Sequence, residues 1–396
     1  MTGISAGNFP KHFLREDGRR TATANERVLL ELLSRIGPAS RADLARLTGL
    51  APHSITRLIE PLLTRELLSE STPIAAGRGK PSAKLSLVGH AAFSVGLSVM
   101  TDAISLVLLN LAGTIAGVRN ERLADAAIAP ACTQIRAMID AAIEDAGWDR
   151  AALLGIGVGV TGYFIGDGAR LNPPRQLDPW ALIPLDTVLS DALGRKIWVD
   201  NDGNVAAVGE AMLGRGREVR DFAYLYFSAG FGGGVMCKEG PLRGHHGNAG
   251  EFASILPAGW PQPNLEALRI AFADDGVTYP DLHTMLAAFD AEHIAVDRWL
   301  DACIPSLDLV VSSISATLDP AMIVLGGRLP PALAQRIIER ITITNPERRG
   351  VHRPAPIIVP SGLEGDAAAI GAAALPLRAA FFGASESDGT IGDEGI

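Results

Sequence analysis

The stretch VDNDGNVAAVGE (residues 199–210) decides the fold. It carries the end of a strand, KIWVDND (196–202), directly into a helix, NVAAVGEAML (204–213), with Asn201 and Asp202 at the joint. Upstream, FSVGLSVMTDAISLVLLNLAGTIAG (93–117) reads as a strand, a turn, a second strand and a hairpin. A helical run, ACTQIRAMIDAAIEDAG (131–147), a buried strand, LLGIGVGVTG (153–162), and a helix, LIPLDTVLSDAL (182–193), lead into the quoted stretch. Downstream the same succession resumes in FAYLYFSAGFGGGVM (222–236), MIVLGG (322–327) and the helix DAAAIGAAALPL (366–377). Strand meanders alternating with helices, given twice, predict two α/β lobes around a cleft.

Composition sets limits on this body and its surroundings. The 396 residues allow two or three domains. Hydrophobic residues at 47% and charged ones at 20% fit a globular chain, and 43 glycines fit many tight strand-to-helix turns. No run of about 18 apolar residues argues for a membrane span. The opening MTGISAGNFPKHFLREDGRR lacks an apolar core before a cleavage site, so secretion is not expected. Cys132, Cys237 and Cys303 are far apart, giving neither a disulfide framework nor zinc-ligand spacing, and a reducing cytoplasm is the expected compartment. The net charge of −9 is uneven: residues 1–90 hold 13 Lys and Arg against 8 Asp and Glu. A basic head on an acidic body directs any polyanion to the head.

In that head, Leu29, Leu32, Leu33 and Ile36 share one helical face, Asn25 can cap the helix, and Gly37-Pro38 ends it. A second short helix, SRADLARL (40–47), turns Leu44 and Leu47 inward, and Thr48-Gly49-Leu50 makes a turn. The third, from about Pro52 to Arg65, carries a stripe of Ile55, Leu58, Ile59, Leu62 and Leu63. This is the helix-turn-helix order. It leaves His53, Ser54, Thr56 and Arg57 at the outward tip, able to reach base edges or phosphates, and Arg41 joins them as a DNA-contact candidate. Two strands, LLSESTP and SAKLSLV, would form a wing around IAAGRGKP, where Arg78 and Lys80 between glycines suit a narrow minor groove. The competing reading is a three-helix unit with a solvated basic loop that serves dimerisation or a protein partner. The expected layout is a flexible arm (1–22), a winged helix-turn-helix (23–88), the two-lobed body (91–383) and a disordered acidic tail (384–396). The loops WPQPN and HRPAPIIVP carry no function in this reading.

Four segments of the body resemble, in order and spacing, the ROK family (repressors, open reading frames and sugar kinases), a branch of the actin-like, ribonuclease H-like sugar kinases. VDNDGNVAAVGE resembles the strand-to-helix motif of the catalytic aspartate, and SAGFGGGV (228–235) the second glycine-rich phosphate loop. GHHGNAGEF (244–252) resembles the signature around a sugar-binding glutamate, and IVLGG (323–327) the adenosine-side loop. The resemblance implies that Asp202 stands at the position of the base that deprotonates a sugar hydroxyl. It also implies that Asn201, Glu251, Glu266 and Asn172 contact the sugar. The residues alone leave other roles open: Asp202 as a helix cap, Glu251 in a local ion pair, and Trp180 and Trp198 as core.

Three departures from the family pattern turn the expectation away from catalysis. The opening phosphate loop, Asp-x-Gly-Gly-Thr in the family, reads Ser98-Val99-Met100-Thr101-Asp102 here. Ala229 replaces the threonine of the second loop. Phosphoryl transfer rests on positioning and charge neutralisation, so losing both elements removes most of it. The structural zinc's cysteines are absent from LPAGWPQPNLEAL (256–268), and Ser254 stands where its histidine would be, so no metal or other cofactor is expected. His245 and His246 read as surface residues. The expected protein is a homodimeric or tetrameric repressor of carbohydrate metabolism. It binds an inverted-repeat DNA operator and senses a sugar or sugar derivative, without enzymatic activity and without a membrane partner. The alternatives are an ATP-dependent sugar kinase with a DNA-binding head, and a regulator with a vestigial pocket that answers to a protein partner.

Overall fold

The computed structural model describes residues 21–71, 83–166, 168–238 and 240–383; Arg78, Lys80, residues 1–20 of the expected arm and the acidic tail lie outside them. Helix α1 (Ala24–Ile36) begins with a reciprocal cap, in which the Thr23 hydroxyl accepts from the Glu26 N–H and the Glu26 carboxylate from the Thr23 N–H. Thr23 thus takes the cap expected of Asn25, because a Glu three residues on can complete the box only there. Ser40 and Asp43 repeat the device on α2 (Arg41–Thr48), which Gly49 closes in the left-handed region at φ 71°. Helix α3 (Pro52–Thr64) follows, then an antiparallel pair of short strands, β1 (Leu68–Glu70) and β2 (Leu85–Leu87).

Leu29, Leu33, Leu44, Ile55, Ile59 and Leu62 close on one another with almost no exposure. Ile36 and Leu47, expected inward, are 47% and 46% exposed. Each sits in the last turn of its helix, where the chain swings away at Gly37 or Gly49, while Leu30 is fully buried instead.

The first lobe opens with the antiparallel meander β3 (Phe93–Val99), β4 (Ala103–Asn110) and β5 (Ile115–Arg122). Helix α4 (Ile128–Ala146) crosses over to β6 (Leu153–Val160), parallel to β3. A two-residue hairpin, β7 (Tyr163–Phe164) with β8 (Leu171–Asn172), precedes α5 (Leu185–Leu193) and β9 (Ile197–Asn201), giving the order β5-β4-β3-β6-β9. Helix α6 (Asp202–Leu213) then leads into the second lobe. Here β10 (Phe222–Phe227), β11 (Phe231–Cys237) and β12 (Gly240–Pro241) form the meander. Helices α7 (Leu265–Asp274), α8 (Leu282–Ala287) and α9 (Ile294–Thr317) precede β13 (Met322–Gly327), α10 (Pro331–Arg340), β14 (Ile357–Pro360) and α11 (Ala367–Phe381). The order is β12-β11-β10-β13-β14. The segment IIVP, read from sequence as loop, is the parallel edge strand β14: it pairs on one side with β13 only, so its one proline, Pro360, lies where an edge tolerates it.

Helix α9 is the one described helix long and apolar enough to cross a membrane. Its Val296, Trp299, Leu300, Leu307 and Val311 pack in the second lobe's core, while Asp297 and Asp301 pair with Arg340. Helices α6 and α11 lie together between the sheets. A Cβ on Gly371 of α11 would stand 1.6 Å from the Val205 carbonyl oxygen of α6, so glycine there is a condition of the crossing.

The head is fastened to this centre. The Arg27 guanidinium, buried in α1, donates to the carbonyls of Arg378, Ala379 and Phe382 at the end of α11. Arg35 donates to the carbonyls of Gly216 and Arg217, and Arg217 in return to those of Ser34 and Arg35. Each arginine satisfies carbonyls that a helix or turn end leaves open.

Candidate functional site

Where β9 ends and α6 begins, Asn201 and not Asp202 is the cap. Its Oδ1 accepts from the N–H groups of Gly203 (2.8 Å) and Asn204 (3.2 Å), and its Nδ2 donates to the Gly162 carbonyl at 2.7 Å. Asp202, the first helical residue, is left to face the cleft, with Gly203 N–H and the Thr161 hydroxyl as its partners. Burial above all, and then the nearby Glu251 and Asp366, push its carboxyl up to about 7. Burial likewise raises the Glu251 carboxyl. Asp200 behind them is held by the Asn201 and Asn204 nitrogens and by Arg243.

These residues border a cavity of about 350 Å³ between the lobes. Of the five expected sugar contacts, the structure brings Asn172, Asn201, Asp202 and Glu251 together on its wall. Glu266 is not among them: it lies in the first turn of α7, where its carboxylate takes both the Nε and an Nη of Arg269. Asn172 donates to the Tyr163 hydroxyl at 2.8 Å, and Asn248 of the GHHGNAGEF loop bonds both the N–H and the carbonyl of Phe164, docking that loop on the β7–β8 hairpin. Thr161, Tyr163, Tyr226, Ser228 and Phe231 also line the cavity and were not singled out from sequence. For Tyr226 a signal existed. Two tyrosines two residues apart in the apolar run FAYLYF put two hydroxyls on one buried face, and a buried hydroxyl needs a partner. The Tyr224 hydroxyl accepts from Gly327 N–H; the Tyr226 hydroxyl has no partner among the described residues.

The glycines of SAGFGGGV divide into two kinds. A Cβ on Gly233 would strike the Tyr224 carbonyl and Phe252, whereas Gly230 and Gly232 face open space. Neither of those two has a positive φ, so the turn itself does not require them. The turn that the family resemblance assigns to phosphate is closed. Ser98 and Met100 are buried, and Asp102 reaches the other lobe. Its carboxylate takes Arg328 through two bonds (2.8 and 3.2 Å) and the His283 N–H at 3.0 Å. Arg122 and Asp281 pair across the same gap. Among the described residues no group of three or more His, Cys, Asp or Glu gathers to hold a metal, and His245 and His246 only stack edge to face.

At the tip of α3, His53, Thr56 and Arg57 are exposed and Ser54 is half-buried. The Thr56 hydroxyl is turned back onto the Pro52 carbonyl. Arg41 is engaged within the head, bridging Glu60 (3.1 Å) and Glu70 (3.2 Å), so it joins α2, α3 and β1.

Residues 95–262 match the ROK family. An uncharacterized protein of Sinorhizobium fredii is 29% identical over 92% of this chain and 93% of its own length. The xylose repressor of Bacillus spizizenii is 26% identical over 58% of this chain, a match that spans 60% of the repressor. Among solved structures, a ROK family transcriptional regulator described as a homologue of the Escherichia coli Mlc protein superposes with a TM-score of 0.63 at 20% identity, covering 90% of this chain and 96% of its own. A ROK glucokinase of Streptomyces griseus, solved with glucose and AMPPNP, gives 0.58 at 20% identity over 72% of this chain and 99% of its own. The two lobes share the α/β fold of these sugar-kinase-like structures, and the match over residues 95–262 makes that part of the chain similar to the ROK family.

Proposed function

We propose that the protein is a DNA-binding transcriptional regulator, acting as a repressor of carbohydrate metabolism in the cytoplasm. Residues 23–88 form its winged helix-turn-helix, and the ROK body, 91–383, senses a sugar or sugar derivative without phosphorylating it. The observation that carries this reading is the pairing of Asp102 with Arg328 and the His283 N–H. A turn whose carboxylate is spent on bolting the lobes together has nothing left to hold a metal-bound phosphate. Beside it the cavity keeps Asn172, Asn201, Asp202 and Glu251, a set of donors and acceptors suited to vicinal hydroxyls. The exposed tip of α3 supplies His53, Thr56 and Arg57 for a major groove, and two heads of a homodimer, or of a tetramer built from dimers, suit an inverted repeat.

One observation favours a second reading, a sugar kinase with a DNA-binding head: a carboxyl near pKa 7 at Asp202 is poised for general-base work. ATP turnover against a sugar panel separates the two. The regulator reading expects no phosphorylation above that of Asp202→Asn, and turnover that depends on Asp202 contradicts it. For the head, selection from a random double-stranded DNA pool should recover an inverted repeat. Arg57→Ala should weaken binding to it by about 1–3 kcal/mol; unchanged affinity would remove Arg57 from the interface.

A further inference from the structure

Resting on the reading of the cavity as a sugar site, we infer that it selects an uncharged polyol and rejects the phosphorylated form, with the Tyr226 hydroxyl as a reading contact. The first observation is the balance of charge. Asp202 and Glu251 stand in the wall, and Asp366, the cap of α11, is close enough to act on Asp202. Among the described residues lining the cavity there is no Lys, Arg or His. Arg328, which acts on Tyr226, is engaged by both oxygens of Asp102, and Arg243 is engaged by Asp200, the residue before Asn201. A phosphate dianion placed here finds no cationic side chain in the wall to neutralise it and raises the cost of any carboxyl that ionises beside it, a mismatch that penalises the charged ligand. Hydroxyl groups, by contrast, can donate to those same carboxyl groups.

The second observation is Tyr226. It is 3% exposed, lines the cavity, and its Oη has no partner within the described protein. On β10 it lies opposite Gly232, and the open space in front of Gly230 and Gly232 adjoins it along the loop. Asp366, Asp202 and Arg328 are near enough to act on it electrostatically. A buried hydroxyl without a partner is costly, and a bound hydroxyl satisfies it. A cavity of about 350 Å³ is at the small end of ligand pockets, which run to about 1,000 Å³, and suits one sugar ring.

The test is titration calorimetry of the full chain with neutral monosaccharides, each paired with its 6-phosphate or 1-phosphate, repeated on Tyr226→Phe after a thermal melt shows that the variant folds. The inference expects a neutral sugar to bind, its phosphate to bind about 100-fold more weakly or not at all, and Tyr226→Phe to lose roughly 3- to 10-fold in affinity. A phosphorylated sugar that binds as tightly as its neutral parent overturns the charge selection while leaving sugar sensing intact. Unchanged affinity in Tyr226→Phe overturns the reading contact. Failure of every sugar, neutral and phosphorylated alike, overturns the sugar-site reading on which this inference rests.

Discussion

Asp202 is a carboxyl group held in a place that suits its neutral form. Its folded pKa, about 7, lies above the ordinary 3.8, so the folded state binds the proton more tightly than the unfolded chain does. Stability therefore falls as pH rises from about 4 to 7, and above 7 the full cost of the buried charge is present. Asp202→Asn, which mimics the protonated group, should melt with the wild type at pH 4 and above it at pH 8. Equal melting temperatures at pH 8 would contradict the burial argument. Asn201 and Asp202 were legible as a pair in VDND, but which one caps the helix was not. Either can cap, and the choice follows from Gly162, whose carbonyl takes the Asn201 amide, a bond a carboxylate cannot make. Glu266 illustrates the opposite limit. The family resemblance offered it as a sugar contact, and Arg269 one helical turn on claims its carboxylate.

Elements announced themselves where their period was clean. The strands β3, β6, β10 and β13 and the helices α4 and α11 all coincide with runs visible in the sequence. What periodicity could not supply was the use of a turn. Asp102 reads as a hairpin residue, and only the folded chain brings Arg328, 226 residues away, to it. Both side chains are nearly buried, at 12% and 8% exposure. Removing one partner leaves the other charge stranded, so Asp102→Ala should cost about 3 kcal/mol or more in denaturant unfolding. Asp102→Ala with Arg328→Met should cost clearly less than the sum of the single changes. Additive losses would mean that the lobes are not joined through this pair. The edge strand β14 escaped notice for another reason: three prolines in HRPAPIIVP read as loop, but Pro354 and Pro356 precede the strand and Pro360 ends it on an edge with one bonded side, where a proline fits.

On the scale of the whole molecule, α11 runs from the cleft, where Asp366 caps it beside Asp202, to the head, where Arg27 holds its last carbonyls. A change at the cavity thus has a rigid element through which to reach α1. The two-lobed body was readable from four motifs, but this fastening was not, because Arg27 in sequence is one polar residue of an amphipathic helix. Arg27→Ala should destabilise the protein by about 2 kcal/mol. It should also reduce the effect of ligand on DNA binding while the DNA affinity of the head itself persists. Full ligand response in that variant would place the coupling elsewhere. The central claim, that one chain reads DNA with its head and a sugar with its body, meets its most direct test in operator affinity. Fluorescence anisotropy of the full chain on the selected inverted repeat, with and without saturating amounts of the sugar that binds the cavity, measures it. The account predicts a change of about fivefold or more in Kd; the same Kd in both conditions would contradict it.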